Sequence, residues 1–205
     1  MTSLLVIAKA PVAGRVKTRL CPPCTPAQAA ALAGAALADT LAAAARARRA
    51  GRRVLVLDGE PGPWIPRGFD VLPQRGEGLA ARLAAAFCDV GGPAFLIGMD
   101  TPQVTPALLD GGLAALDRAD AAFGAAVDGG YWGIGLRRPD PAVFHGVPMS
   151  ERTTAVVQRT RLAALNLDTA ILPPLVDVDT IADARVVATE APGSRFARVL
   201  EGLAA

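Results

Sequence analysis

The chain has 205 residues, 52% of them hydrophobic, which is enough to bury a full core as a single domain over 1–205. A net charge of +2, with arginines spread along the chain, excludes the basic stripe of a nucleic-acid or membrane-surface protein. The longest small-residue stretch, Ala27 to Ala45, carries Gln28 and Asp39 and reads as an Ala-rich helix, not a membrane span. No basic leader with a cleavage site precedes the first strand, so a cytoplasmic location is expected.

An apolar strand, Ser3-Leu-Leu-Val-Ile-Ala-Lys9, runs into a loop with Gly14, Arg15, Lys17 and Arg19. Three cations can converge on one anion if the loop curls around it, and Gly14 permits the curl. The alternative is a solvated loop that happens to be basic. Cys21-Pro-Pro-Cys24 has the spacing of a redox or zinc pair, but a zinc site has only Cys88 and the lone His145 left to draw on. Thr25-Pro-Ala-Gln28 is a capping box, predicting a helix to about Ala50 with Gly51 as its stop.

Strands follow at Arg53–Leu57 and Phe69–Leu72. Then comes a helix over Gly78–Asp89, with Leu79, Leu83 and Phe87 four apart on one face. Ala94–Gly98 is a buried strand, and Thr105-Pro106 caps a helix to about Arg118. Ala121–Ala126 and Tyr131–Leu136 are strands around Asp128-Gly129-Gly130. Helices at Thr153–Leu165 and Ile181–Thr189 flank a short strand, Thr169–Leu172. Alternating β and α segments predict an α/β fold, a mostly parallel sheet with helices on both faces.

Several residues stand where such a sheet binds ligands. Asp100 ends a buried strand and can hold a divalent cation or a ribose. Asp179, in Asp177-Val-Asp-Thr180, is either a second ligand or part of a helix cap. Asp128-Gly-Gly-Tyr-Trp132 is either a ligand-facing loop or a tight hairpin with its aromatics on opposite faces. Gln74-Arg-Gly-Glu-Gly78 is a helix-entry loop whose amide end can receive a base or phosphate. Gly14-Arg-Val-Lys17-Thr18 lacks the glycine a Walker loop needs before its lysine, since Val16 stands there.

Taken together, these segments resemble the GT-A-type nucleotide-diphospho-sugar transferase superfamily. The similarity is to a small bacterial glycosyltransferase-like family named for neighbouring radical-SAM and selenium-domain genes. That family is similar in turn to 2-phospho-L-lactate guanylyltransferase and the molybdenum-cofactor nucleotidyltransferases. The segments that carry it are Ala8–Leu20, Gln74–Leu79, Leu96–Pro102, Asp128–Trp132 with Ile134–Leu136, and Asp177–Thr180.

The resemblance implies a single Rossmann-like GT-A domain that binds a nucleotide with Mg2+ or Mn2+. Lys9, Gly14, Arg15, Lys17 and Arg19 would hold the phosphates, with Gln74 and Gly78 near the base. Asp100 and Asp179 would be the metal ligands. Asp128, Gly129, Gly130 and Tyr131 would face the acceptor or sugar, and Lys17, Asp100 and Asp128 would be catalytic. The partners would be a nucleotide sugar or nucleoside triphosphate and a small-molecule acceptor, with no nucleic acid or membrane; the sequence leaves the oligomeric state open. Glycosyl transfer is the favoured reaction, nucleotidyl transfer the second, and a non-catalytic nucleotide-binding protein the third. The pattern departs from the family at Val127, where an acidic residue is usual, and at Met149-Ser-Glu151, both on the acceptor side.

Overall fold

The computed structural model describes residues 1–204. Seven strands form one sheet: β1 (Ser3–Lys9), β2 (Arg52–Asp58), β3 (Asp70–Pro73), β4 (Ala94–Ile97), β5 (Ala121–Ala126), β6 (Tyr131–Leu136) and β7 (Thr169–Leu175). Their order is β3-β2-β1-β4-β6-β5-β7. Only β6 runs against its neighbours; the other pairings are parallel. The sheet is therefore mostly parallel, as expected, and the C-terminal ends of β1, β2, β4, β5 and β7 share one rim.

Period-two alternation along the strands loads both faces. Leu4, Val6 and Ala8 of β1 point into a core under α1 (Pro26–Arg46) and α3 (Pro106–Ala115). Leu5 and Ile7 point into a second core under α2 (Gly78–Val90) and α4 (Thr154–Ala164). A third core lies on the outer side of α1, where Ala29, Leu32 and Ala36 meet α5 (Ile181–Glu190) and α6 (Arg195–Ala204). Burial on both sides accounts for the apolar run in α1, which by length and composition alone could cross a membrane.

The Thr25 capping box is formed in full, Gln28 N donating to Thr25 Oγ1 at 3.2 Å and Thr25 N to Gln28 Oε1 at 2.8 Å. The helix stops at Arg46, short of the expected Ala50. There Arg53 reaches back and donates to the Ala44 and Ala47 carbonyls at 2.9 and 2.6 Å, consuming the acceptors a longer helix would need. Leu83 and Phe87 face the core as expected, but Leu79 is 41% exposed, because the first turn of α2 overhangs the rim. Helix α6 has no counterpart among the expected elements, although Phe196, Val199, Leu200 and Leu203 have helical spacing. Asp39, the charge inside the Ala-rich stretch, receives the start of α6: Phe196 N donates to Oδ2 at 2.9 Å, and Arg195 pairs with Oδ1 at 3.1 Å. The strand expected to end at Leu172 continues to Leu175.

The middle of the sheet depends on glycines that make room for rings. Phe95 packs edge-on to Trp132, ring centroids 5.8 Å apart. A Cβ at Gly133 would stand 2.8 Å from Phe95, and one at Gly124 would overlap the Trp132 ring. Gly124→Ala should therefore lower stability by about 1–3 kcal/mol through overpacking. A urea midpoint equal to wild type would show that Trp132 can move aside freely.

Candidate functional site

Three segments that the sequence keeps far apart meet at the rim. The loop after β1 curls through Gly14, at φ +77°, and brings Lys17 back under the ends of β4 and β7. Lys17 itself adopts the left-handed conformation, φ 49° and ψ 38°, which costs a non-glycine residue about 1–2 kcal/mol. Its ammonium lies 2.9 Å from Asp100 Oδ1 and 3.6 Å from Asp179 Oδ1, and it donates to the Val178 carbonyl. Arg19 pairs with the other Asp179 oxygen at 2.6 Å. Val178 N donates to the Asp100 carbonyl at 3.0 Å, so the two acidic segments are also tied backbone to backbone.

The three loop cations thus do not converge on one point. Lys17 and Arg19 share Asp179, whereas Arg15 is exposed and has no ion pair among the described residues. Lys9 is also exposed, at the end of β1. The cap of α5 is Thr180, in a capping box with Asp183, so Asp179 is left to face the loop.

Asp177 belongs to this centre, although the sequence pattern singles out Asp179 instead. In extended chain, alternate residues share a side, so Asp177 and Asp179 face the rim while Val178 is buried in the third core. Burial, together with Asp100, Asp128 and Asp179, pushes the Asp177 carboxyl up to about 7, against the opposing effect of Lys17. Burial also disfavours a charged Lys17, but its pairing with Asp100, with Asp177 and Asp179 nearby, outweighs this and raises its pKa. The turn after β4 holds further unspent acceptors. Apart from the Lys17 ion pair, Asp100 Oδ1, Thr101 Oγ1 and Gln103 Oε1 are buried without a hydrogen-bond partner.

This centre is rich in oxygen and short of positive charge, which is the chemistry a divalent cation satisfies. Among the described residues no three His, Cys, Asp or Glu side chains are grouped closely enough to hold a metal unaided. Magnesium is commonly held by only one or two carboxylates, with other positions left to water and phosphate. Asp100 and Asp179 are carboxylates that could hold such a cation, with Asp177 beside them.

The other expected residues lie around this centre. Gln74 follows β3, and its amide donates to the Ala8 carbonyl at 2.8 Å and the Val56 carbonyl at 3.2 Å, strapping β1 to β2. Its oxygen accepts from Arg82, which also pairs with Asp58 at 2.9 Å. The side chain expected near a base is thus committed to backbone, and Asp58 and Arg82 stand beside it. Asp58 ends β2 as Asp100 follows β4, so the strand-end rule that selected Asp100 selects Asp58 too. Gly78 opens α2 at φ +76°, exposed.

Across the rim, Asp128-Gly-Gly is the hairpin turn between β5 and β6. Asp128 Oδ1 accepts from Gly130 N at 2.9 Å, leaving its second oxygen free of that turn. Gly129 has φ +97°, and its carbonyl accepts from Ala155 N at 2.8 Å, docking the turn on the start of α4. Tyr131 and Trp132 pack into opposite cores, as the hairpin reading expected. Val127 is 70% exposed beside Asp128. Cys24 is buried in the third core, and burial pushes its thiol pKa up, which disfavours a reactive thiolate.

The sequence profile of DUF2064, described as an uncharacterized protein conserved in bacteria, matches residues 27–151. The chain belongs to this family. Among curated proteins, none matches the DUF2064 chain. Its fold is similar to that of a proposed nucleotide-diphospho-sugar transferase from Desulfovibrio desulfuricans G20, with 27% identity, 98% of this chain and 94% of the other covered, and TM-score 0.87. Rv0371c from Mycobacterium tuberculosis H37Rv, crystallised with manganese, has the same fold at 22% identity, with 91% and 97% covered and TM-score 0.52. So does 2-C-methyl-D-erythritol 4-phosphate cytidylyltransferase from Thermus thermophilus, at 18% identity, with 93% and 99% covered and TM-score 0.55. The fold of the DUF2064 chain is thus that of nucleotide-dependent transferases, as the resemblance implied.

The Asp177 environment has a consequence for stability. An ordinary aspartate titrates near 4, so between about 4 and 7 the folded DUF2064 chain holds a proton that the unfolded chain has released. This contribution to stability is present at low pH and is lost as pH rises through 7. Asp177→Asn should match wild type below about pH 4 and exceed it increasingly as pH rises to 7, by on the order of 1 kcal/mol or more at pH 8, with about 2–4 °C in Tm for each kcal/mol. A Tm difference that does not change with pH would mean that Asp177 carries no such burden.

Proposed function

We propose that this protein is a metal-dependent transferase whose donor is a nucleotide sugar. The observation that carries the reading is the cation centre, in which Lys17 and Arg19 meet Asp100 and Asp179. It lies at the C-terminal ends of parallel strands beside β1 and β4, where the strand order reverses. Open α/β sheets bind ligands at such a point. The likeness to the Desulfovibrio protein supports the same reading over nearly the whole chain.

In this reading Arg15, Lys17 and Arg19 hold the donor's diphosphate, and Asp100 with Asp179 would hold Mg2+ or Mn2+. When bound, the metal supplies Lewis-acid neutralisation of charge on the phosphate oxygens. The acceptor hydroxyl attacks the anomeric carbon, the bond from that carbon to the phosphate oxygen breaks, and the nucleoside diphosphate departs. Lys17 and Arg19 stabilise the charge that develops on it. The free oxygen of Asp128 takes the hydroxyl proton, provided it comes within hydrogen-bond reach. Exposed Val127 adds an apolar contact for the acceptor. Nucleotidyl transfer, in which a substrate phosphate attacks the α-phosphorus of a nucleoside triphosphate, uses the same clamp, and the shared fold of the cytidylyltransferase gives it second place.

Thermal stabilisation against nucleotide sugars and nucleoside triphosphates, each with and without Mn2+, tests this directly, because a ligand selective for the native state raises Tm. A metal-dependent shift with one nucleotide sugar is expected. Asp100→Ala should remove the metal-dependent part, and Lys17→Ala should weaken nucleotide binding at least tenfold. A shift confined to a triphosphate would favour nucleotidyl transfer, and wild-type behaviour in both variants would overturn the site.

A further inference from the structure

The Lys17 side chain is only 8% exposed, and its ammonium faces three oxygens supplied by two other segments. They are Asp100 Oδ1 at 2.9 Å, Asp179 Oδ1 at 3.6 Å and the Val178 carbonyl. An ammonium has three N–H donors, and three oxygens stand against it. Two carboxylates and a backbone carbonyl are also what a hard divalent cation takes from a protein. The ammonium and a metal ion compete for these oxygens, because both are cations and a metal bound to Asp100 Oδ1 and the Val178 carbonyl would stand where the ammonium now sits.

We propose that Lys17 and the divalent cation are alternative occupants of one site. The cation enters only when a phosphate group draws the Lys17 ammonium off Asp100 and Asp179. This inference rests on the nucleotide reading of the rim. The loop is arranged for the exchange: Arg15 is exposed and has no ion pair among the described residues, so an arriving phosphate meets it first. Lys17, two residues on, then exchanges carboxylate partners for phosphate oxygens. Its charge stays compensated, and the vacated carboxylates take the metal. Phosphate and metal therefore bind cooperatively, each strengthening the other by the same factor. The free protein is protected from loading with metal when no donor is present.

The test is calorimetric titration of Mn2+ into the full chain without any nucleotide. It compares wild type, Lys17→Ala and Lys17→Met, the last keeping the buried side-chain stem while removing the charge. Both variants should bind Mn2+ at least tenfold more tightly than wild type, the reverse of their weakened affinity for nucleotide. Adding Asp100→Asn to Lys17→Met should abolish the gain. The proposal is overturned if the Lys17 variants bind Mn2+ no more tightly than wild type. It is equally overturned if the gain survives Asp100→Asn, since the metal would then sit elsewhere. Should no nucleotide stabilise the protein, the transferase reading fails, and the Mn2+ titration still decides whether Lys17 holds the cation site.

Discussion

The site is governed by the need for positive charge where Asp100, Asp128, Asp177 and Asp179 gather. Like charges brought together and partly withdrawn from water cost several kcal/mol unless a cation answers them. Lys17 answers two of the four directly and lowers the burden on a third. The molecule accepts a left-handed backbone at Lys17 to achieve this. It also commits Arg19 to Asp179, and Asp177 holds its proton to about neutral pH. These ionic contacts are made by segments whose neighbouring residues, Val16, Leu20 and Val178, are themselves buried in the cores. Their common purpose is to keep an oxygen-rich centre at the mouth of the sheet.

The fold holds this mouth rigid from below. Strand β1 is central and buried along nearly its whole length, and it fixes where the Gly14–Arg19 loop begins. Gln74 ties the ends of β1 and β2 together through their carbonyls, so the loop rises from a braced edge. On the other side, the packing of Phe95 and Trp132 against glycine-lined strands holds β4, β5 and β6 in register.

Strand and helix placement is readable because burial on two faces leaves a strong periodic signal, as in β1 and α2. Where tertiary contacts set a boundary, that signal fails. The end of α1 depends on Arg53, seven residues beyond Arg46, and the exposure of Leu79 depends on where the sheet stops. Helix α6 is legible in its apolar spacing, yet the expected elements omit it. Asp100 and the loop cations can be picked from strand ends and glycine positions alone. That Lys17 turns to Asp100 and Asp179 cannot, since no local pattern links a lysine to carboxylates so far along the chain. Gln74 lies in the expected rim motif, and the sequence does not show that its amide donates to the Ala8 and Val56 carbonyls while its oxygen accepts from Arg82.

Lys17 and its partner carbonyl at Val178 are 161 residues apart. During synthesis at about 5–20 residues per second, roughly 10–30 s pass between their appearances. In that interval β1, β2 and β3 can pair and α1 can cover them, but the carboxylate pair at 177 and 179 does not yet exist. The loop cations remain uncommitted and exposed on a half-built sheet. The charged mouth closes only after β7 has docked beside β5, so a closed mouth reports that the C-terminal third is in place.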